Sequence, residues 1–420
     1  MYSLKELYRN GLGPSSSHTI GPFRAGNIFR ERNPEAASFR ITLQGSLAAT
    51  GRGHFTDKAL ERAFGTYPIE IIWRDDIWPD QHPNGMILEA LDHNTQIIDT
   101  WNVFSVGGGA LVDAGQDINV GVHCYPHHYL SDIINYCIQN DLTLPEYVTK
   151  FDSEDIWNYL EDMRLIMMRS ITKGLETTEK YIPIPLKYSY KSPEVYKKSI
   201  QEINPTIREN GLISAYALAV SEQNASMGEV VTAPTCGACG VLPAVLRYLQ
   251  ETYNKTDQEI CNALAVAGIL GLIAKHNASI SGAEAGCQAE VGVACSMAAG
   301  AAAYLLGYDI HHIENAAEVA MEHHLGMTCD PLGGYVLIPC IERNAAAAVR
   351  SIQSAYYVYL TGSNHLISYD EVIHTMMETG KDMKEAYRET STGGLAKYYN
   401  RKLQEQSTFT NIKSYTCRGT

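Results

Sequence analysis

The sequence predicts an α+β fold of two domains, an N-terminal α/β domain followed by an all-α domain, and three observations carry that prediction. At 420 residues the chain is too long for one ordinary hydrophobic core. Its first 125 residues mix short β-like runs with glycine-rich turns. From Ile207 to Leu306 charges are sparse and Ala, Gly, Ser and Leu dominate, a composition that suits helices packed on helices. The expected division is 1–128, 129–396 and a C-terminal tail at 397–420.

Taken in order, Phe39–Leu43, Tyr67–Trp73, Gln96–Val106 and Asp117–Cys124 are the expected strands, with short helices at Phe23–Glu31 and Thr56–Phe64. After Pro126-His127-His128 the pattern from Leu130 to Asn204 becomes helical and charge-rich. Pro183 and Pro185 interrupt it, because proline fixes φ and enforces an extended connector. Tyr369–Glu389 reads as an amphipathic helix and Lys397–Thr420 as a polar tail. Val291–Tyr308 is the uncharged run nearest in character to a membrane span, but its Ala, Gly and Ser content predicts a tightly packed buried helix.

A formal charge of −14 repels nucleic acid and anionic membranes, so neither is an expected partner, whereas a small anion needs only a local basic pocket. Met1–Glu6 shows no basic region leading into an apolar run, which predicts a cytoplasmic chain. Ten cysteines are then expected to stay reduced, leaving burial or metal ligation as their roles.

Cys287, Cys329 and Cys340 stand in Ala285-Gly286-Cys287-Gln288, Thr328-Cys329-Asp330-Pro331 and Pro339-Cys340-Ile341. Glycine or proline beside each lets the backbone leave a helix and turn its sulfur toward a common point. Spacings of 42 and 11 residues match no compact zinc pattern, so on the residues alone ligation and plain burial stand level. Asn277, Ser279, Ser281 and Gly282 run into Cys287 beside Glu284; they either serve whatever that cysteine holds or cap the next helix. Ser15, Ser16, Ser17 and Thr19 precede a helix expected to begin at Gly21-Pro22, where hydroxyls and free N–H groups suit a carboxylate and an ordinary serine cap is the simpler alternative. His18 and His54 can each accept or relay a proton, or be structural. His323 and His324 precede Cys329 and are either outer donors or core residues.

Cys236-Gly237-Ala238-Cys239 has no second pair to complete a zinc site, so its thiols read as incidental. Cys124, Cys137, Cys261 and Cys295 read as core. Gly107-Gly108-Gly109 lacks the context of a phosphate loop and reads as a tight turn.

The runs Lys275–Gln288, Met321–Pro331 and Pro339–Asn344, together with Gly13–Pro22, closely resemble the iron–sulfur-dependent L-serine dehydratases. The resemblance extends from residue 11 to about residue 396 through Gly45-Ser46-Leu47, Gly53–Asp57, Ser105–Gly109 and Thr232–Thr235. It implies a single chain with fused beta-type and alpha-type domains, the second of them catalytic. It further implies an oxygen-sensitive [4Fe–4S] cluster on Cys287, Cys329 and Cys340, whose open iron binds the hydroxyl of L-serine; a base takes the α-proton, water leaves, and pyruvate and ammonia result. With the resemblance, Ser15, Ser16, Ser17, Thr19, Asn277, Ser279, Ser281 and Gly282 become substrate-binding candidates, His18 and His54 unranked catalytic candidates, and a homodimer is expected. The tail departs from the family, which carries Arg-Gly-Gly-Leu-Ala and then a cysteine close to the chain end. Here Thr392-Gly393-Gly394-Leu395-Ala396 is followed by an extension whose only cysteine is Cys417, either the displaced equivalent and a further metal ligand or an unrelated thiol.

Competing readings are a pyridoxal-phosphate dehydratase, for which Lys275 is the one suggestive lysine and no phosphate loop accompanies it; an iron–sulfur lyase for threonine, cysteine or a hydroxy acid; a cluster-bearing sensor that has lost catalysis; and a zinc-stabilised non-enzyme.

Overall fold

A computed structural model describes residues 1–113, 116–117, 123–184 and 186–402 of the chain. Eight strands occur among these residues: β1 (Asn10–Leu12), β2 (Ser38–Gln44), β3 (Ile69–Arg74), β4 (Gly85–Leu91), β5 (Ile97–Ser105), β6 (Leu111–Asp113), β7 (Gln116–Asp117) and β8 (Glu229–Val231). The N-terminal helices are α1 (Gly21–Arg32), α2 (Ser46–Thr50) and α3 (Thr56–Phe64). The helical part comprises α4 (Leu130–Gln139), α5 (Leu144–Phe151), α6 (Ile156–Leu175), α7 (Ser192–Gln201), α8 (Pro205–Ala225), α9 (Val241–Tyr253), α10 (Asp257–Asn277), α11 (Gly282–Ala285), α12 (Val293–Leu305), α13 (Ile310–Glu322), α14 (Cys340–Thr361) and α15 (Tyr369–Asp382). The expected order, an α/β part and then a helical part, is the order found.

Strands β3-β2-β4-β5-β6-β7 form one sheet, parallel only between β2 and β3. Alternation along β2 sends Phe39, Ile41 and Leu43 inward against Phe29 of α1 and Leu60 and Phe64 of α3, as the two-residue side-chain period of a strand requires. On the other face Arg40 pairs with Glu70 at 3.0 Å and Glu89 at 3.5 Å, each on a neighbouring strand. The sequence reading lacked β4: Met86, Leu88, Glu89, Ala90 and Leu91 are good helix formers, and pairing with β2 on one side and β5 on the other overrides that preference. Most of the expected strand at 117–124 lies outside the described residues; the described part holds β7 and an isolated bridge between Tyr2 and His123.

Among the described helices α10 is the one long and apolar enough to cross a membrane, but 78% of that stretch is buried within the protein, as befits a core helix. The sequence had pointed instead to Val291–Tyr308, which is a wide turn, Gln288–Gly292, running into the buried α12. Tyr369–Glu389 was expected to be one helix. It stops at Asp382, where Met383 turns extended, because the following residues are drawn onto Cys329. Residues 394–402 are helical, so the described part of the expected polar tail, 397–402, continues a helix.

The first twelve residues pack with the helical part. Leu4, Leu7 and Tyr8 are fully buried in its core, and the Tyr8 hydroxyl donates to Leu264 O at 2.9 Å. Gly268 of α10 admits them, since a Cβ there would meet Leu4 Cδ2 at 2.6 Å. Strand β1 then pairs antiparallel with β8, Asn10 opposite Val231.

Candidate active site

Three loops of the helical part deliver Cys287, Cys329 and Cys340 to one buried region. Cys287 follows Gly286, whose φ of +73° and approach to Met327 O, 2.7 Å from where a Cβ would stand, both require glycine. A wide i→i+5 turn, Gln288–Gly292, then enters α12; such turns recur at functional sites. Cys329 is held in place by its N–H donating to Tyr387 O at 2.7 Å and its carbonyl accepting from Glu389 N at 2.8 Å. Cys340 opens α14 behind Pro339.

The ligand atoms of Cys287, Glu290 and Cys329 lie within 4.8 Å of one another. Glu290 was missed in the sequence, yet a signal was there: it is the one charge between Gln288 and Leu305. Its Oε1 accepts from Thr235 Oγ1 at 2.7 Å, and its Oε2 stands 4.0 Å from the sulfurs of both Cys287 and Cys329.

The donor set resists deprotonation by itself. A hydrogen bond to Cys287 and then burial push the Cys329 thiol well up, while burial followed by the Cys287 and Glu290 charges does the same for Cys340. Burial also raises the carboxyls of Glu290 and Glu389, the latter with help from the Glu290 charge. Arg343 opposes this: burial works against its cation, but the Cys287 and Cys340 sulfurs outweigh it and raise its pKa. Three thiols and two carboxyls crowded with one arginine fit a soft, positively charged group that would convert thiols into ligating thiolates. Gly282 keeps room for it, since a Cβ there would stand 3.2 Å from Cys329 Sγ and 2.6 Å from Glu290 Oε2. Cys417 lies outside the described residues.

The histidines come from the N-terminal part. Ser15 caps a second wide turn, Ser16–Ile20, that runs into α1, its hydroxyl accepting from His18 N at 3.1 Å. His18 is fully buried, with Nδ1 2.9 Å from Ser17 Oγ, Nε2 3.1 Å from Ser46 Oγ, and Glu389 Oε1 4.0 Å from Nδ1. Neither Ser46 nor Glu389 was singled out from the sequence. Thr19 Oγ1 donates to His54 O at 2.7 Å. His54 Nδ1–H donates to Thr50 O at 3.1 Å, which leaves a lone pair on Nε2, and that buried atom has no partner. Burial drops the His54 imidazole to about 4, and burial with the neighbouring His54 holds His18 well below its ordinary value.

The remaining expected residues sort themselves by contact. Ser279 Oγ donates to Glu284 Oε2 and accepts from Ser281 N at 3.0 Å, and Asn277 Nδ2 donates to His128 O at 2.7 Å. Ser16 is buried in its turn without a polar contact of its side chain to the groups above. His323 and His324 give their Nδ1–H groups to Val319 O and Ala320 O, both at 2.7 Å. Cys236 and Cys239 are buried in a turn whose Thr235 holds Glu290, and Gly237 O accepts from Asn344 Nδ2 at 2.8 Å. Cys137, Cys261 and Cys295 are buried and Cys124 is half-buried. Gly107, Gly108 and Gly109 all have positive φ in a tight turn, closed by Ala110 N donating to Gly107 O at 2.9 Å.

A cavity of about 350 Å³ lies between the two parts, lined by Ser46, Trp78 and Pro83 on one side and by Glu284, Lys381 and Arg388 on the other. Arg388 Nε on this lining is buried without a hydrogen-bond partner, as are His82 Nε2, which faces Glu284 Oε1 at 3.9 Å, and His54 Nε2.

The serine dehydratase alpha chain model matches residues 75–396 and the serine dehydratase beta chain model matches residues 3–68. The two matches meet at β3, so β4 to β7 fall in the alpha match. The chain is 38% identical to an L-serine dehydratase of Haemophilus influenzae, over 94% of this chain and 99% of the relative. It is 39% identical to an L-serine dehydratase of Streptomyces coelicolor and 37% to L-serine dehydratase 2 of Escherichia coli, each over 94% of this chain and 98% of the relative.

Proposed function

The chain belongs to the serine dehydratase family, with beta-type and alpha-type parts fused in one polypeptide, and from that premise we propose that it converts L-serine to pyruvate and ammonia. The observation that carries the reading is the meeting of Cys287, Glu290 and Cys329 within 4.8 Å at a buried point that also receives Glu389, itself 4.0 Å from His18. A [4Fe–4S] cluster on Cys287, Cys329 and Cys340 would supply a Lewis-acidic iron for the substrate hydroxyl.

The protein's own groups do the rest. His54 is neutral at any ordinary pH and carries an unengaged lone pair on Nε2, so we assign it the α-proton. His18, held between the hydroxyls of Ser17 and Ser46, orients Ser46 at the cavity wall. Burial of both rings keeps bulk water from the proton in transfer. Loss of the α-proton and the hydroxyl leaves an enamine, which tautomerises and hydrolyses to pyruvate and ammonia. Lys275 commits its ammonium to Glu6 O at 2.7 Å, which favours this route over a pyridoxal Schiff base. A homodimer is part of this reading, to be measured by light scattering.

The test is anaerobic reconstitution with iron and sulfide, then an assay for pyruvate from L-serine with the wild type and Cys329→Ala. Brown, active protein that loses both properties in the variant supports the reading. Brown but inactive protein moves it to another substrate or a sensor, and colourless active protein overturns the iron–sulfur assignment.

A further inference from the structure

Arg388 occupies a position that the motifs and the proposed chemistry leave unused. It follows the single helical turn Glu385–Tyr387, in a segment drawn onto Cys329: Tyr387 O accepts from Cys329 N, Glu389 N donates to Cys329 O, and Cys329 and Arg388 form a parallel bridge. Glu389, at a φ of +58°, turns toward His18, while Arg388 lines the cavity between the two parts of the molecule.

The Arg388 guanidinium is only partly engaged. One Nη donates to Glu284 O at 3.3 Å, while the buried Nε has no partner. An unsatisfied buried donor is costly, and a guanidinium offers its donors as a planar fork matched to a carboxylate. The hydroxyls first in line for a substrate carboxylate are taken: Ser15 Oγ by His18 N, Ser17 Oγ by the His18 ring and Thr19 Oγ1 by His54 O. Across the cavity from Arg388 stands Ser46, the hydroxyl bonded to His18 Nε2, and the space of about 350 Å³ accepts a small amino acid.

We propose that Arg388 anchors the α-carboxylate of the substrate, so that this residue selects free amino acids over their amides and esters. The proposal rests on the dehydratase reading above and names the group that orients its substrate. A carboxylate on Arg388 directs the rest of the molecule toward Ser46 and the histidine pair.

The experiment compares reconstituted wild type, Arg388→Ala and Arg388→Lys on L-serine and on L-serinamide, with iron per chain and visible absorbance measured for each. The expected result is a KM for L-serine raised roughly 10- to 100-fold in Arg388→Ala, from the loss of a charge-assisted bond, with kcat changed far less. Arg388→Lys falls between, because an ammonium keeps the charge without the fork. On L-serinamide, which has no carboxylate to lose, the loss in Arg388→Ala is far smaller than on L-serine, so the serine-to-serinamide ratio falls. Equal losses on serine and serinamide, or an unchanged KM, overturn the proposal and make Arg388 a brace for the Cys329 segment. If Arg388→Ala fails to take up iron, the serine-to-serinamide ratio of Arg388→Lys decides: a ratio unchanged from wild type overturns it. A wild type that makes no pyruvate overturns the dehydratase reading itself, a result distinct from a wild type that makes pyruvate and does not discriminate.

Discussion

His18 and His54 lie ring against ring, their centroids 4.6 Å apart and their planes 42° from parallel, with neither ring open to solvent. Two imidazoles this close cannot both carry charge cheaply, and burial already disfavours the charged form of each.

The rate should therefore keep its neutral base into acid. The acid limb of kcat/KM is expected with a midpoint near 4, the His54 value, well below the ordinary 6.5. His54→Gln should lower kcat by roughly 100- to 10,000-fold and abolish that limb. Stopped assays with pH jumps, on enzyme reconstituted at neutral pH, separate this from acid loss of iron.

Stability should move the same way. The unfolded histidine binds its proton at about 6.5 and the folded one only near 4, so as pH falls from 6.5 to 4 protons are taken up by the unfolded chain alone. Stability is complete above pH 6.5 and declines through that window, by up to about 3 kcal/mol for His54 alone. Urea midpoints across the window, in wild type and His54→Gln, should differ in slope.

Gly282→Ala should cost metal before it costs fold. Its Cβ would stand 3.2 Å from Cys329 Sγ and 2.6 Å from Glu290 Oε2, and overpacking of this kind typically costs about 1–3 kcal/mol. Iron per chain after reconstitution should fall well below wild type while the circular dichroism spectrum stays helical.

Thr235→Val removes the hydroxyl that donates to Glu290 Oε1 at 2.7 Å. A carboxylate deprived of a buried partner should lower stability by about 1–3 kcal/mol, read as a shift in the denaturant midpoint of the apoprotein.

Local patterns were legible in the sequence where one force decided them. Helix Thr56–Phe64 appears with the boundaries its pattern gives, and β2 follows its alternation of Phe39, Ile41 and Leu43. Strand β4 was not legible, because its helix-forming residues are overruled by neighbours on both sides. The same division holds at the site. The turn residues beside Cys287, Cys329 and Cys340 left ligation and plain burial level, and the resemblance of their motifs decided between them, whereas Arg388 and Glu389 have no local signature. Glu389 meets His18 from the opposite end of the chain, through the lacing of Tyr387 and Glu389 onto Cys329. Contacts of that kind are made by the fold and leave no spacing to read.

The pairing of β1 with β8 imposes an order on synthesis. Val231 is added 221 residues after Asn10, the residue it faces. At about 5–20 residues per second a ribosome needs roughly 10 to 45 s to cover that distance. Throughout that interval Leu4, Leu7 and Tyr8 are apolar side chains whose resting place on α10 has not been made. Residues made before β2 are thus seated only after α10 exists, and a chaperone or a slow ribosome at the start of α10 would act on Leu4, Leu7 and Tyr8.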